Sequence, residues 1–101
     1  MGSIGQGNYA AAKAGVKALT RCSAVAAAGS GIRINCVSPS LAMHPFLART
    51  SSEELLESLV DGEAFGRAAE PWEVANVVVF LASDYSSYMT GEVVSVSSQR
   101  A

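Results

Sequence analysis

An α/β fold is predicted for this chain of 101 residues, in the order helix, strand, short helix, helix, strand. Three observations predict it. An alanine-rich stretch from about Asn8 to Ala28 has the composition of a helix, and Gly29-Ser30-Gly31 supplies its stop signal. Residues 32 to 37 alternate Ile32, Ile34 and Cys36 against Arg33, Asn35 and Val37, with the β-branched content of a strand. Pro71 opens a segment with Val74, Val77, Val78 and Leu81 at helical spacing, and the β-branched Val93, Val94 and Val96 follow it. Strand, helix and strand in that order make one right-handed parallel crossover.

Each element has local reasons. Asn8 is a good N-cap for the first helix. Gly2, Gly5 and Gly7 form a glycine cluster before it, but no strand precedes them as a phosphate loop requires, so they read as the loop leading into the helix. Pro39 ends the first strand. Ser51 or Ser52 then caps a short helix through Glu53, Glu54, Leu55, Leu56, Leu59 and Val60, whose leucines recur on one face. In the last helix Glu73 complements the positive N-terminal dipole, and Trp72 is expected to pack. Asp84 to Tyr88 form a turn, Thr90-Gly91 enters the final strand, and the polar tail from Ser97 to Ala101 is expected to be loose.

Composition narrows the partners. A formal net charge of −2 and a pI near 5.2 provide no basic patch, which argues against nucleic acid and anionic membrane surfaces. Cys22 and Cys36 lie on a predicted helix and a predicted strand, with no metal-ligand cluster around them. They read as small buried residues of a reducing compartment, and a cytoplasmic location is the expectation. Half of the residues are hydrophobic, which is material for a single small domain over 1–101. Two parallel strands alone would leave a long sheet edge unpaired, a known route to association.

The chemistry sits in Gly7-Asn8-Tyr9-Ala10-Ala11-Ala12-Lys13. Tyr9 and Lys13 are four apart, which on a helix places both on one face about one turn apart. A phenol with an ordinary pKa near 10 is a poor proton donor or acceptor at neutral pH. A neighbouring ammonium favours the phenolate, as a general acid or base for alcohol and carbonyl chemistry needs.

Three stretches in order resemble the classical short-chain dehydrogenases/reductases. Gly5 to Val16 is similar to the family's active-site helix. Gly31-Ile32-Arg33-Ile34-Asn35-Cys36-Val37-Ser38-Pro39 is similar to its sixth strand and following loop. Gly66-Arg67, Glu70-Pro71-Trp72-Glu73-Val74-Ala75, Phe80-Leu81-Ala82-Ser83-Asp84 and Tyr88-Met89-Thr90-Gly91-Glu92-Val93 resemble its last helix and seventh strand. The resemblance implies the C-terminal part of a Rossmann-like, doubly wound parallel sheet, lacking the N-terminal nucleotide-binding half. The family's catalytic serine would fall upstream of Met1, and Ser3 does not take its role.

By resemblance, the implied activity is hydride transfer between NAD or NADP and a carbonyl or secondary alcohol, with Tyr9 as acid/base and Lys13 assisting it and holding the nicotinamide ribose. Ser38 to His44 is the expected nicotinamide loop, because ligands in open α/β sheets bind beyond the carboxyl ends of strands. Pro39, Ala42 and His44 are its candidate cofactor contacts, beside Tyr9 and Lys13 on the helix. The family's usual Pro-Gly is Pro39-Ser40 here, and a common threonine is His44, which reads as a loop residue lining the cofactor. Residues 40–65 correspond to the substrate lid. With Met43, Phe46, Leu47 and Phe65 it fits either a pocket for a lipophilic substrate, such as a steroid or acyl thioester, or ordinary helix packing. The resemblance also implies a homo-oligomer, and no metal is expected. The rival reading is a truncated, catalytically inactive fragment acting at most as an association module.

Overall fold

The computed structural model describes residues 4–40 and 53–99. Its elements in chain order are α1 (Ile4–Ala27), a 3₁₀ turn (Ala28–Ser30), β1 (Cys36–Pro39), α2 (Glu53–Asp61), α3 (Pro71–Ala82), a second 3₁₀ turn (Asp84–Ser86) and β2 (Val93–Val96). β1 and β2 form a two-stranded sheet. The Cys36 N–H donates to Glu92 O at 2.9 Å and the Ser40 N–H to Val96 O at 3.2 Å, so both partners advance by four and the pair is parallel. This is the α/β order expected from the sequence. The chain divides into two units, one of residues 1–36 and 87–94, the other of residues 37–86 and 95–101.

In the first unit, α1 starts at Ile4 rather than at Asn8, so Gly5 and Gly7 lie within it and not in a leading loop. Glycine costs a helix about 1 kcal/mol per residue, but extending an existing helix gains one hydrogen bond per residue fixed. At the other end the stop signal works as read. Gly31 adopts φ 74, in the left-handed region that favours glycine, and its N–H donates to Ala28 O at 3.0 Å. Among the described residues of α1, Thr20 and Ala24 are the buried positions. Cys22 lies between them, about 200° around the helix from each, and is exposed, contrary to the expected burial.

The strand also begins later than the alternation suggested. Ahead of Cys36 side chains share the contacts with residues 89–92 with a single backbone bond. Arg33 Nη1 and Asn35 Nδ2 both donate to Met89 O, at 3.2 and 3.0 Å, while Asn35 Oδ1 accepts from the Glu92 N–H at 3.0 Å. The Ile34 N–H donates to Thr90 Oγ1 at 3.1 Å, and Ile34 O accepts from the Gly91 N–H at 2.7 Å. Asn35 thus brackets the turn from Met89 to Glu92, where Gly91 takes φ 74 and a Cβ would lie 3.4 Å from that of Ala24.

In the second unit Pro39 ends β1, as expected, and is its last residue. Cys36 and Ser40 turn their N–H groups towards β2, so alternation points the nitrogen of Pro39 away, where a missing donor costs the ladder nothing. On α2 Leu56 and Val60 are half-buried while Leu55 and Leu59 are more exposed; on α3 Val74, Val77 and Leu81 are half-buried while Val78 is more exposed. Trp72, expected to pack, is 62% exposed. It stands at the second position of α3, next to Pro71 and off the Val74–Val77–Leu81 stripe. The tail is not loose as far as Gln99. Glu63 and Gln99 form an antiparallel bridge, and the Ala64 N–H donates to Ser98 O.

Candidate active site

α1 is one uninterrupted helix of 24 residues, and Tyr9 and Lys13 are both on it. Four residues of helix rise about 6 Å, so positions 9 and 13 share one face a little over one turn apart. Lys13 is exposed, as are Lys17 and Arg21 at the next four-residue steps. Position 17 is about 12 Å along the axis from position 9. That exceeds the physiological Debye length of about 8 Å, and Lys13 is the cation of this row nearest in the chain to position 9. Sequence reasoning had singled out Lys13 and not this row of cations.

Pro39 lies at the carboxyl end of β1, in the second unit, whereas Tyr9 and Lys13 belong to the first. Ala42 and His44 lie outside the described residues, as do Met43, Phe46, Leu47 and both candidates for the cap, Ser51 and Ser52. Among the described residues, no three His, Cys, Asp or Glu side chains are placed to share a metal ion, and no helix is long and apolar enough to cross a membrane.

Two polar features of the second unit were not singled out from the sequence. Arg67 meets Glu73 through two contacts, Nη1 to Oε1 at 2.7 Å and Nη2 to Oε2 at 3.2 Å, and Glu73 Oε1 also accepts from the Glu70 N–H at 2.9 Å. The Arg67 hydrogen bond, followed by that of the Glu70 backbone, lowers the Glu73 carboxyl to about 2; the same bond raises Arg67. Arg67 is half exposed, so this pair fixes the entry to α3 more than it stabilises the chain.

The second feature is Glu63, 3% exposed, whose Oε1 accepts from Ser40 Oγ at 2.5 Å and whose Oε2 accepts from Ser98 Oγ at 3.4 Å. Nothing local marks it: α2 ends at Asp61, two residues before Glu63, and its serine partners are 23 and 35 residues away. The cavity beside it holds about 190 Å³ and is lined by Ser40, Glu63, Phe65, Arg67, Glu73 and Ser98 among others. Pockets for small organic ligands run from about 300 Å³ upwards, so this one is too small to serve alone as a substrate pocket.

Residues 1–98 match the family model described as enoyl-(acyl carrier protein) reductase. The chain is 71% identical over 94 residues to a Mycobacterium tuberculosis protein, (5R,7aS)-5-hydroxy-7a-methyl-1-oxo-2,3,5,6,7,7a-hexahydro-1H-indene-carboxyl-CoA reductase, covering 93% of this chain and 36% of that one. It is 43% identical over 95 residues to the 3-oxoacyl-[acyl-carrier-protein] reductase FabG of Thermotoga maritima, covering 94% of this chain and 38% of that one. A crystal structure of a short chain dehydrogenase from Mycobacterium smegmatis superposes with a TM-score of 0.68 at 66% identity, over 92% of this chain and 31% of that one. The chain therefore spans about a third of the length of these relatives. An α/β chain with a parallel strand pair, matched over nearly its whole length by these oxidoreductases, belongs to the short-chain dehydrogenase/reductase family.

Proposed function

We propose that this chain carries the proton-transfer part of an NAD(P)-dependent oxidoreductase acting on a carbonyl or secondary alcohol. The observation that supports this most is the unbroken α1, which keeps positions 9 and 13 on one helical face with an exposed ammonium at Lys13. Tyr9 protonates the carbonyl oxygen in reduction, or takes the alcohol proton in oxidation. Lys13 favours the phenolate and donates to the nicotinamide ribose, and Pro39, Ala42 and His44 contact the nicotinamide end of the cofactor. The donor set fits that group, since an exposed ammonium can donate to ribose hydroxyls and the carboxyl end of a parallel strand is where such ligands bind. NAD or NADP, when bound, supplies or accepts the hydride.

For the substrate we favour a lipophilic ketone or hydroxy compound carried as an acyl thioester. The M. tuberculosis relative is a reductase of a bicyclic carboxyl-CoA, and the T. maritima relative a 3-oxoacyl carrier-protein reductase. Residues 40–65 serve as the lid over that substrate, in a homo-oligomer within the cytoplasm. The test is a chimera in which this chain replaces the matching 36% of the M. tuberculosis reductase. Turnover of that enzyme's own substrate supports the reading, whereas a folded chimera that binds cofactor and turns nothing over contradicts it.

A second reading has its own observation. Val79, Trp72, Phe65, Tyr85 and Tyr88 are exposed by between 62% and 102%, surface that a protein surface elsewhere would normally cover. On that reading the free chain associates without catalysing. Titration with NADH and NADPH separates the two, since micromolar binding by the free chain is incompatible with a pure association module.

A further inference from the structure

Glu63 is the buried charged side chain among the described residues, and the proton-transfer chemistry has no use for it. A carboxylate is costly to bury unless hydrogen bonds replace its water, and here hydroxyls from two distant stretches do so. Ser40 Oγ reaches Oε1 from the residue that follows β1, at 2.5 Å, the range of a charge-assisted O–H···O⁻ bond. Ser98 Oγ reaches Oε2 from the segment that follows β2, at 3.4 Å.

Backbone bonds reinforce both contacts. The Ala64 N–H donates to Ser98 O, and the Ser40 N–H donates to Val96 O. Three stretches of the same unit, the exit of β1, the turn after α2 and the exit of β2, thus converge on one carboxylate.

We propose that Glu63 is a positioning residue: through Ser40 it fixes the carboxyl end of β1, and with it Pro39, for cofactor binding. The functional half of this inference rests on the oxidoreductase reading, because the carboxyl end of a parallel strand is where a dinucleotide would be held. The structural half stands without it.

The experiment has two readouts. In the 101-residue chain, amide hydrogen exchange is followed residue by residue in Glu63→Ala, Glu63→Gln and Ser40→Gly. Glu63→Ala removes both acceptors, and the amides of Ser40 and Ala64 should exchange about tenfold faster or more, while Val77 and Val78 in α3 keep their rates. Glu63→Gln keeps the volume and one carbonyl acceptor and should restore most of the protection. Ser40→Gly leaves the carboxylate in place and should loosen Ser40 alone. A uniform acceleration across α3 in every variant, or none at Ser40 and Ala64, overturns the proposal.

In the chimera with the M. tuberculosis reductase, Ser40→Gly should raise KM for the dinucleotide about tenfold and leave kcat within about twofold. An equal fall in kcat with KM unchanged overturns the positioning role. Local loosening in the free chain together with an inactive parent chimera leaves the Glu63 contact standing and sinks the oxidoreductase reading. An active chimera without local loosening does the reverse.

Discussion

Replacing Asn35 with Ala should destabilise the first unit through two hydrogen bonds that one side chain makes in opposite senses. Its Nδ2 donates to Met89 O at 3.0 Å and its Oδ1 accepts from the Glu92 N–H at 3.0 Å. Each bond is worth about 1 kcal/mol net. After the substitution Met89 O retains Arg33 Nη1 at 3.2 Å, and the exposed Glu92 amide can turn to water, so the loss should be about 1–2 kcal/mol rather than that of a buried orphan. With a urea slope of about 1–3 kcal/mol per molar, the denaturation midpoint followed by circular dichroism should fall by roughly 0.3–2 M. Asn35→Asp keeps the acceptor and loses the donor, and should fall between the parent and the alanine variant. If Asn35→Ala shifts stability by no more than the roughly 0.5 kcal/mol of an ordinary surface change, the bracket around residues 89–92 is not what holds the entry to β2.

Two further predictions concern stability. Gly91→Ala forces a side chain into the left-handed region at φ 74, close to Ala24, and should cost about 1–2 kcal/mol, read as a lower melting temperature. The pH dependence follows from Glu73, whose folded carboxyl is lowered from 4.5 to about 2. Its contribution is complete above pH 4.5 and is lost as pH falls towards 2, because the unfolded state then binds the proton more readily. Glu73→Gln should flatten the stability profile in that window and lower stability above it, where the carboxylate's contribution is complete, and an unaltered acid slope in thermal melts would count against the Arg67 contact.

The order of elements was legible because each has its own local cause. Gly31 at its left-handed φ, Pro71 at the first turn of α3 and the Val74–Val77–Leu81 stripe all carry their meaning within a few residues of chain. What the sequence concealed depends on partners distant in the chain. Arg33 and Asn35 alternate like strand residues, yet their side chains are engaged with Met89 and Glu92, more than 50 residues on, so β1 starts only at Cys36. The Ser97–Gln99 stretch reads as polar tail, but its order comes from Glu63 and Ala64. Of the candidate site, Tyr9 and Lys13 stood out because four-residue spacing on one helix is a local property. Glu63 did not, because its serine partners are 23 and 35 residues away.

Tyr9→Phe in the chimera with the M. tuberculosis reductase asks whether Tyr9 transfers the proton. Positioned acid/base groups contribute about 10²–10⁴-fold. A fall in kcat of that size is expected, with KM for the dinucleotide little changed. Turnover within a few-fold of the parent chimera would contradict it and leave this chain without an assigned proton donor.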